Sequence, residues 1–193
     1  MSDLKQTPSQ TVGPYFAYGL TARQYGYPQT SIAEGTMAGE DIAGERIRVE
    51  GRVFDGDGNL VPDAMIEIWQ ADAQGRYAHP ADGRGTNAGF TGFGRCGTGT
   101  DPQSRFIFET IKPAAPGAGE APHLNVIVFM RGLLTHVFTR IYFADEAAAN
   151  AGDAVLSSVP AERRGTLIAE RTGNTYRFDI RIQGEDETVF FDV

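Results

Sequence analysis

The sequence predicts a mainly β protein: an antiparallel β-sandwich with long loops, an extended N-terminal arm and one or two short helices. Apolar and polar residues alternate in several short segments, Gly, Pro and Asp turns separate these segments, and helical periodicity is sparse. A chain of 193 residues can bury the core of a single domain. We expect residues 1–45 to form the arm, packed on the chain's own body or on a partner, and residues 46–193 to form the sandwich.

The arm is rich in Gly, Pro, Thr and Tyr and has no sustained period of 2 or 3.6 residues, which indicates extended chain with turns. Its aromatic residues are Tyr15, Phe16, Tyr18, Tyr25 and Tyr27. So many aromatic side chains are unusual in a solvated tail, so we expect the arm to be covered.

The body contains segments in which apolar residues recur at every second position, as in "YRFDIRIQ" near the C-terminal end. The predicted strands cover residues 47–53, 64–70, 105–111, 124–129, 136–143, 176–183 and 188–193. Helix is predicted over residues 145–159 and in the segment that begins at Pro160, because proline is tolerated in a first helical turn. The Gly-rich stretch over residues 89–100 is predicted to be an irregular loop.

Composition excludes several functions. A formal net charge of −8 argues against nucleic-acid binding, which depends on clustered Lys and Arg. No apolar run approaches the roughly 20 residues of a membrane span, and the first residues do not resemble a secretory signal. The single cysteine, Cys96, rules out an internal disulfide and is expected to be inert. We expect a cytoplasmic protein.

Three histidines are available for chemistry: His79, His123 and His136. His79 lies in a predicted loop and is expected to be solvated or capping, whereas His136 could be exposed or packed at the start of a strand. His123 heads the apolar run "HLNVIVF" and could be a metal ligand, a catalytic base or a structural residue. A His-x-His pair on a strand would point two imidazoles to one side, but here the partner position is Asn125, whose amide is a weak ligand.

Motifs of other enzyme classes are missing. No Gly-x-Gly-x-x-Gly follows a strand and opens a helix, no Gly-x-x-x-x-Gly-Lys-Ser/Thr occurs, and no Gly-x-Ser-x-Gly supports a serine nucleophile. Nucleotide binding and serine hydrolase chemistry are therefore not predicted.

The segment "LVPDAMIEIWQADAQGRYAH", followed by "FIFETIKP", "APHLNVIVF" and "THVFTRIYFADE", resembles the intradiol ring-cleaving dioxygenases. The resemblance covers nearly the whole chain. The arm sequence "TPSQTVGPYF" and the C-terminal "YRFDIRIQGEDETVFFDV" resemble the alpha chain of family members that are built from alpha and beta chains of the same fold.

This resemblance implies a lost iron site. Catalytic chains of the family hold a non-haem Fe(III) with two tyrosinates and two histidines, and the two histidine positions fall on His123 and Asn125. The tyrosine positions fall near Gly83 or Arg84 and near Pro116. The sequence has no tyrosine between Tyr77 and Tyr142, so three of the four ligands are missing. We therefore expect no metal and no catalytic residue in this chain, with Fe(III) held by a partner beta chain.

The function implied is that of a non-catalytic alpha subunit. With its beta partner it would perform O2-dependent intradiol cleavage of 3,4-dihydroxybenzoate to 3-carboxy-cis,cis-muconate, in the β-ketoadipate pathway of aromatic catabolism. By resemblance, Arg131 and the arm residues Thr11, Gly13 and Pro14 reach the shared site, where a guanidinium can bind the substrate carboxylate. Glu120 stands roughly where catalytic chains carry an arginine, and its charge would repel an anion.

Two other hypotheses remain. The chain could be a free-standing enzyme with rearranged ligands drawn from His79, His123 and His136. It could also be a β-sandwich binding or scaffold module without any catalytic partner, which would allow a lone monomer in solution.

Overall fold

The computed structural model describes residues 5–86 and 88–193. Its strands are β1 (Arg46–Phe54), β2 (Met65–Gln70), β3 (Phe93–Gly97), β4 (Arg105–Ile111), β5 (His123–Phe129), β6 (Val137–Phe143), β7 (Ile168–Thr172), β8 (Thr175–Arg177) and β9 (Ile180–Arg181). Its helices are α1 (Phe16–Leu20), α2 (Ala147–Gly152) and α3 (Ala154–Ser158), with 3-10 turns at Ala144–Glu146 and Ala161–Leu167. The predicted mainly β class is confirmed.

Within the described residues the strands form one curled sheet in the order β3-β2-β5-β6-β7-β8-β1-β4, with β9 also paired to β1. Most neighbours run antiparallel, but β6–β7, β1–β8 and β1–β9 run parallel. The sheet is therefore mixed rather than purely antiparallel. The curled sheet encloses one main hydrophobic core. Side chains from β1 and β4 pack in this core against side chains from β2, β5 and β6.

Alternation along β5 decides which residues enter this core. Leu124, Val126 and Val128 point inward and are fully buried, whereas His123 and Asn125 lie on the opposite, outer face. Burial of the inward side chains contributes roughly 1.5–3 kcal/mol each. The core packing therefore fixes which side chains the outer face can present.

One close approach between backbones depends on a glycine in β1. A Cβ on Gly51 would stand 1.7 Å from the carbonyl oxygen of Phe178 and 2.7 Å from the ring of Phe106. The chain after β8 crosses β1 at this point, where the amide of Phe178 donates a hydrogen bond to the carbonyl of Glu50 at 2.9 Å. Only a residue without a side chain fits here.

Four sequence predictions were wrong in detail. The strand expected over residues 176–183 is divided into β8 and β9. The Gly-rich stretch expected to be a loop contains β3, because Phe93–Gly97 pairs with β2 over its whole length. The segment after Pro160 is a 3-10 turn followed by β7, not an α-helix. Residues 188–193 form no strand: Phe191 makes an isolated bridge to Phe138, and Thr188 and Val189 are held by hydrogen bonds to Arg181 and Thr139. At β3, pairing with the distant strand β2 overrides the local propensity of a glycine-rich segment.

The arm residues that the structure describes pack on the chain's own body. The ring of Phe16 in α1 lies 5.5 Å from that of Phe129, and Tyr18 stacks on Tyr25 at 4.0 Å. The amide of Gln24 donates to the carbonyl of Gly97 at 2.7 Å and accepts from its N–H at 2.8 Å. The arm is thus fastened beside β3 and the end of β5.

No helix in residues 5–86 and 88–193 is long and apolar enough to span a bilayer. Cys96 in β3 is a free, buried thiol, and burial raises its pKa. Because the thiolate is the reactive form, burial and the raised pKa both disfavour reaction at this cysteine.

Candidate functional site

The outer face of β5 and its neighbours carries the polar side chains of interest. In the antiparallel register, His123 lies opposite Tyr142, while Asn125 lies between Trp69 on β2 and Arg140 on β6. All of these side chains project to the same side, because paired residues on adjacent strands share a face.

His123 is buried, with 2% of its surface exposed. Burial lowers its pKa, and the nearby charge of Arg140 acts in the same direction. Its Nδ1 lies 2.8 Å from the carbonyl oxygen of Ala121, and because a carbonyl can only accept, Nδ1 must carry the proton. The other ring nitrogen, Nε2, keeps its lone pair and has no hydrogen-bond partner in the part of the chain that the structure describes. One potential metal-ligating atom thus survives on the outer face.

Asn125 does not supply a second ligand. Its amide nitrogen donates to the hydroxyl of Tyr77 at 3.3 Å and contacts the carbonyl of Trp69 at 3.4 Å. The ring of Tyr77 also packs against the indole of Trp69, with centroids 4.9 Å apart. Burial raises the pKa of Tyr77, so its phenol keeps its proton. The nearest tyrosine is therefore a neutral hydrogen-bond acceptor, not a phenolate.

Two opposite charges flank this group. Arg140 acts electrostatically on His123, Tyr77 and Tyr142, and its Nη1 lies 3.4 Å from the hydroxyl of Tyr142. Glu120, just before β5, acts on His123 and Tyr77 with the opposite sign. Charges of both signs therefore act on His123 and Tyr77.

These residues do not fit a ferric site. A neutral imidazole, an amide engaged with Tyr77 and a protonated phenol offer none of the anionic ligands that ferric iron requires. Among residues 5–86 and 88–193, no three His, Cys, Asp or Glu side chains lie close enough together to hold a metal ion.

The positions expected for the lost tyrosines lie in loops. Arg84 pairs with Asp82 at 2.7 Å and donates to the carbonyl of Gly75, so it serves to close its own loop. Pro116 and its neighbour Ala115 pack against Gly75, where a Cβ would stand 2.2 Å from the Ala115 carbonyl.

The other histidines do not join His123. His79 is exposed, and its Nδ1 accepts from the amide of Ala81 at 3.1 Å, so the expected capping role is observed. His136 is also exposed, just before β6, and its ring packs between those of Phe129 and Phe138. Both are held by aromatic and backbone contacts.

A second group of residues lies at the end of β5, where Arg131 follows the strand. Its guanidinium Nε forms an ion pair with the carboxylate of Asp63, and the Arg131 side chain is 56% exposed while that of Asp63 is 12% exposed. Within the described residues this contact is an ion pair without a hydrogen bond, since neither carboxylate oxygen of Asp63 accepts one, and the terminal nitrogens of Arg131 have no partner. The ion pair thus orients a guanidinium whose outer edge is free.

The arm reaches this turn. The Oγ1 of Thr11 accepts a hydrogen bond from the amide of Gly132 at 2.9 Å, and Gly132 has a φ of 95°, which favours glycine. Gly13 accepts from the amide of Phe16 at 3.1 Å and leads into α1. Pro14 is exposed beside it. The structure places Thr11 next to the turn of Arg131 and places Gly13 and Pro14 along the same exposed segment.

Comparison with known proteins settles the family. A family model described as Dioxygenase, of the Dioxygenase_C type, matches residues 12–184. The chain belongs to the intradiol dioxygenase family. The resemblance seen in its sequence is thereby confirmed.

Two relatives are informative. The chain is 59% identical over 198 residues to the protocatechuate 3,4-dioxygenase alpha chain of Burkholderia cepacia, covering 100% of both. It is 35% identical to the beta chain of the same organism, covering 97% of this chain and 88% of the relative. In fold it matches the dioxygenase domain of a carbohydrate-binding fusion protein from Streptomyces sp. SirexAA-E, with a TM-score of 0.59 and 23% identity over 93% of this chain and 99% of that domain.

Sequence reasoning missed three residues of these two groups: Tyr77, Arg140 and Asp63. For Arg140 a signal existed, because residues 138, 140 and 142 share one face of a predicted strand next to the strand of His123. Tyr77 and Asp63 lie in loops. The alternation of apolar and polar residues, which predicts strands, gives no information about contacts made by loop residues.

Proposed function

We propose that this chain is the alpha subunit of a protocatechuate 3,4-dioxygenase, and that it presents Arg131 to a site whose iron is held by a beta chain. Full-length identity of 59% to an alpha chain and the 35% identity to a beta chain support this assignment. The proposal includes a cytoplasmic location and no iron in this chain. The observation that carries the proposed role at the site is the oriented guanidinium of Arg131.

Arg131 suits the carboxylate of 3,4-dihydroxybenzoate. Its Nε is engaged by Asp63, so the two terminal nitrogens can bind both oxygens of a carboxylate from the opposite edge. Because Asp63 is mostly buried, it keeps the guanidinium oriented before the substrate arrives, which reduces the entropy lost on binding.

Thr11, Gly13 and Pro14 would form the adjoining wall. The hydrogen bond between Thr11 and Gly132 joins this segment to the turn that carries Arg131, so the arm and the guanidinium form one surface. Iron in the beta chain would supply the oxygen chemistry of ring cleavage. This chain would bind and orient the anionic end of the substrate and exclude water around it.

Co-expression with the beta chain tests the proposal. We expect the chain alone to be colourless and inactive, and the complex to contain iron and to cleave 3,4-dihydroxybenzoate. Arg131→Ala in the complex should raise KM for 3,4-dihydroxybenzoate at least about tenfold, because the substrate carboxylate loses a charge-assisted hydrogen bond. Catechol, which lacks the carboxylate, is the matched control and should be cleaved equally by both complexes. Stoichiometric iron in the chain alone, or an equal effect on both substrates, would contradict the proposal.

A further inference from the structure

The two edge strands of the sheet, β3 and β4, face each other along a line that we call the seam. Within the described residues they stand at opposite ends of the strand order and are not paired as strands. The sheet nevertheless curls until the amide of Ile107 in β4 donates to the Sγ of Cys96 in β3 at 3.3 Å. Because an unpaired strand edge offers its N–H and C=O groups to any extended chain, the seam needs a cover.

Part of this cover is a segment of the N-terminal arm, residues 34–37, which we call the strap. On the β4 side, the carbonyl of Gly35 accepts from the amide of Glu109 at 2.8 Å. The amide of Met37 in turn donates to the carbonyl of Glu109 at 2.9 Å. The strap is therefore bonded to the edge of β4 as a short additional strand would be.

The strap is bonded less closely to the β3 side. The carbonyl of Glu34 accepts from the amide of Arg95 at 3.2 Å, and the carbonyl of Met37 accepts from the amide of Thr91, just before β3, at 3.4 Å. Both distances lie at or beyond the upper end of the usual range for N–H···O bonds. The β3 side is therefore where the strap is held more weakly.

Beyond the strap, the side chain of Gln24 covers the end of β3. Its carboxamide accepts from the amide of Gly97 at 2.8 Å and donates to the Gly97 carbonyl at 2.7 Å, which is the pattern that a neighbouring strand would supply. It also donates to the hydroxyl of Thr100 at 2.7 Å and contacts the Sγ of Cys96 at 3.5 Å. One half-buried side chain thus replaces a strand at this point.

The cover is attached mainly by hydrogen bonds near the surface. Of the strap side chains only Met37 is buried, and it enters the main core. Beside the strap the seam is open as a cavity of about 530 Å³, with Cys96 and Ile107 in its wall. Few buried apolar contacts and exposed backbone hydrogen bonds characterise segments that open locally at low cost in free energy.

We propose that Gln24 and the strap form a latch, which opens as a unit and uncovers Cys96 and the facing edges of β3 and β4 while the rest of the sheet stays folded. Opening breaks the hydrogen bonds across the seam and withdraws one apolar side chain, Met37, from the core. When closed, the latch keeps both edges from pairing with another chain. The latch does not depend on the proposed function, because all of its groups belong to this chain.

Cys96 reports the opening, since it is the chain's only cysteine and is 5% exposed in the closed form. The aromatic disulfide 5,5′-dithiobis(2-nitrobenzoate) is added to the full chain at several urea concentrations below the unfolding transition, and absorbance gives the labelling rate. Where reclosing is faster than labelling, this rate is proportional to the open population.

The urea dependence separates local from global opening. Release of the latch exposes little surface, so we expect a labelling rate that is nearly independent of urea at low concentrations. If Cys96 were labelled only in the unfolded chain, the rate would rise from the lowest concentration with the slope of global unfolding. That second result would overturn the proposal.

Gln24→Ala removes the bonds to Gly97 and should raise the labelling rate without urea at least about tenfold. Leu156→Ala is the matched control, because Leu156 is buried in a separate cluster with Tyr142 and Leu167. It lowers global stability but leaves the latch intact, so its labelling rate should stay within about twofold of the original.

Circular dichroism checks that both variants fold. If Gln24→Ala does not fold, the urea dependence of labelling in the unaltered chain decides. An unchanged rate in folded Gln24→Ala, or equal acceleration in the two variants, would also overturn the proposal.

Discussion

The hydroxyl oxygen of Thr11 accepts a hydrogen bond from the amide of Gly132 at 2.9 Å, across 121 positions of the chain. This bond joins the N-terminal arm to the turn that carries Arg131. It therefore couples a segment without regular structure to a side chain oriented by the end of a core strand. Four further predictions concern Thr11 in this bond, Asp153, Gly51 and His123.

Thr11→Ala should loosen the arm at this turn. The loss of one exposed acceptor costs about 1 kcal/mol, so we expect KM of the complex for 3,4-dihydroxybenzoate to rise about three- to fivefold with little change in kcat. Hydrogen exchange at the Gly132 amide should become faster in the chain alone. Thr11→Ser keeps the acceptor and should behave like the original chain, and equal effects of both variants would argue against the bond.

Asp153→Ala should destabilise the fold around His123. Asp153 is fully buried, caps α3 by accepting from the amide of Leu156 at 2.7 Å, and accepts from the amide of Ala121 at 2.8 Å. Burial raises the pKa of this carboxyl, but these hydrogen bonds outweigh burial and lower it. We expect a loss of about 2–4 kcal/mol in the free energy of unfolding by urea denaturation.

Asp153→Asn is the matched control for the cap. It keeps one acceptor oxygen and should retain part of the stability. If Asp153→Ala lost less than about 0.5 kcal/mol, the carboxylate would not be holding the segment before β5.

Gly51→Ala should prevent stable folding. The new Cβ would stand 1.7 Å from the Phe178 carbonyl in the interior of the sheet, and neither backbone can move without breaking strand pairing. We expect a loss of more than about 3 kcal/mol. Gly165→Ala, where nothing lies within 4 Å of the new Cβ, should stay within about 0.5 kcal/mol of the original. Thermal unfolding of both variants measures the difference.

His123 should make stability depend on pH. Because burial lowers its pKa in the fold, the unfolded chain takes up a proton below about pH 6.5 that the folded chain does not. Stability from this residue is therefore complete above about pH 6.5 and falls as the pH drops toward the folded pKa. Between about pH 7.5 and pH 5.5 the loss is at most about 1.4 kcal/mol.

The control for this pH dependence is the variant His123→Gln, whose side chain has no titratable group. Urea unfolding at both pH values should show a smaller decrease in this variant, whatever its absolute stability. The same pH dependence in both proteins would mean that His123 is protonated in the fold as readily as in the unfolded chain.

The alternation of apolar and polar residues predicted most strands of the sheet correctly, but it did not predict β3, which lies at one edge of the sheet. β5 and β6 were found because their apolar residues recur at period two with large side chains. β3 was missed because glycines interrupt its pattern, and it is held in place by pairing with β2 and by contacts from Gln24. The 3-10 turn after Pro160 resembles a helix in composition, and its Leu167 packs in a buried cluster with Tyr142 of β6.

The two groups of polar residues differ in how far the sequence predicted them. Asn125 and the absent tyrosines follow from residue identity, so the poor fit to iron could be inferred without coordinates. Arg131 and Thr11 were expected near one another only through family resemblance, and Asp63, which orients the guanidinium, was not expected at all.

The sequence by itself determined the mainly β class and the family, because these depend on residue types at short spacings. Only the tertiary structure decided that Asn125 contacts Tyr77, that Arg140 lines a largely apolar cavity, and that Thr11 meets Gly132. These contacts join residues far apart in the chain, and they depend on strand register and side-chain direction, which local pattern does not encode.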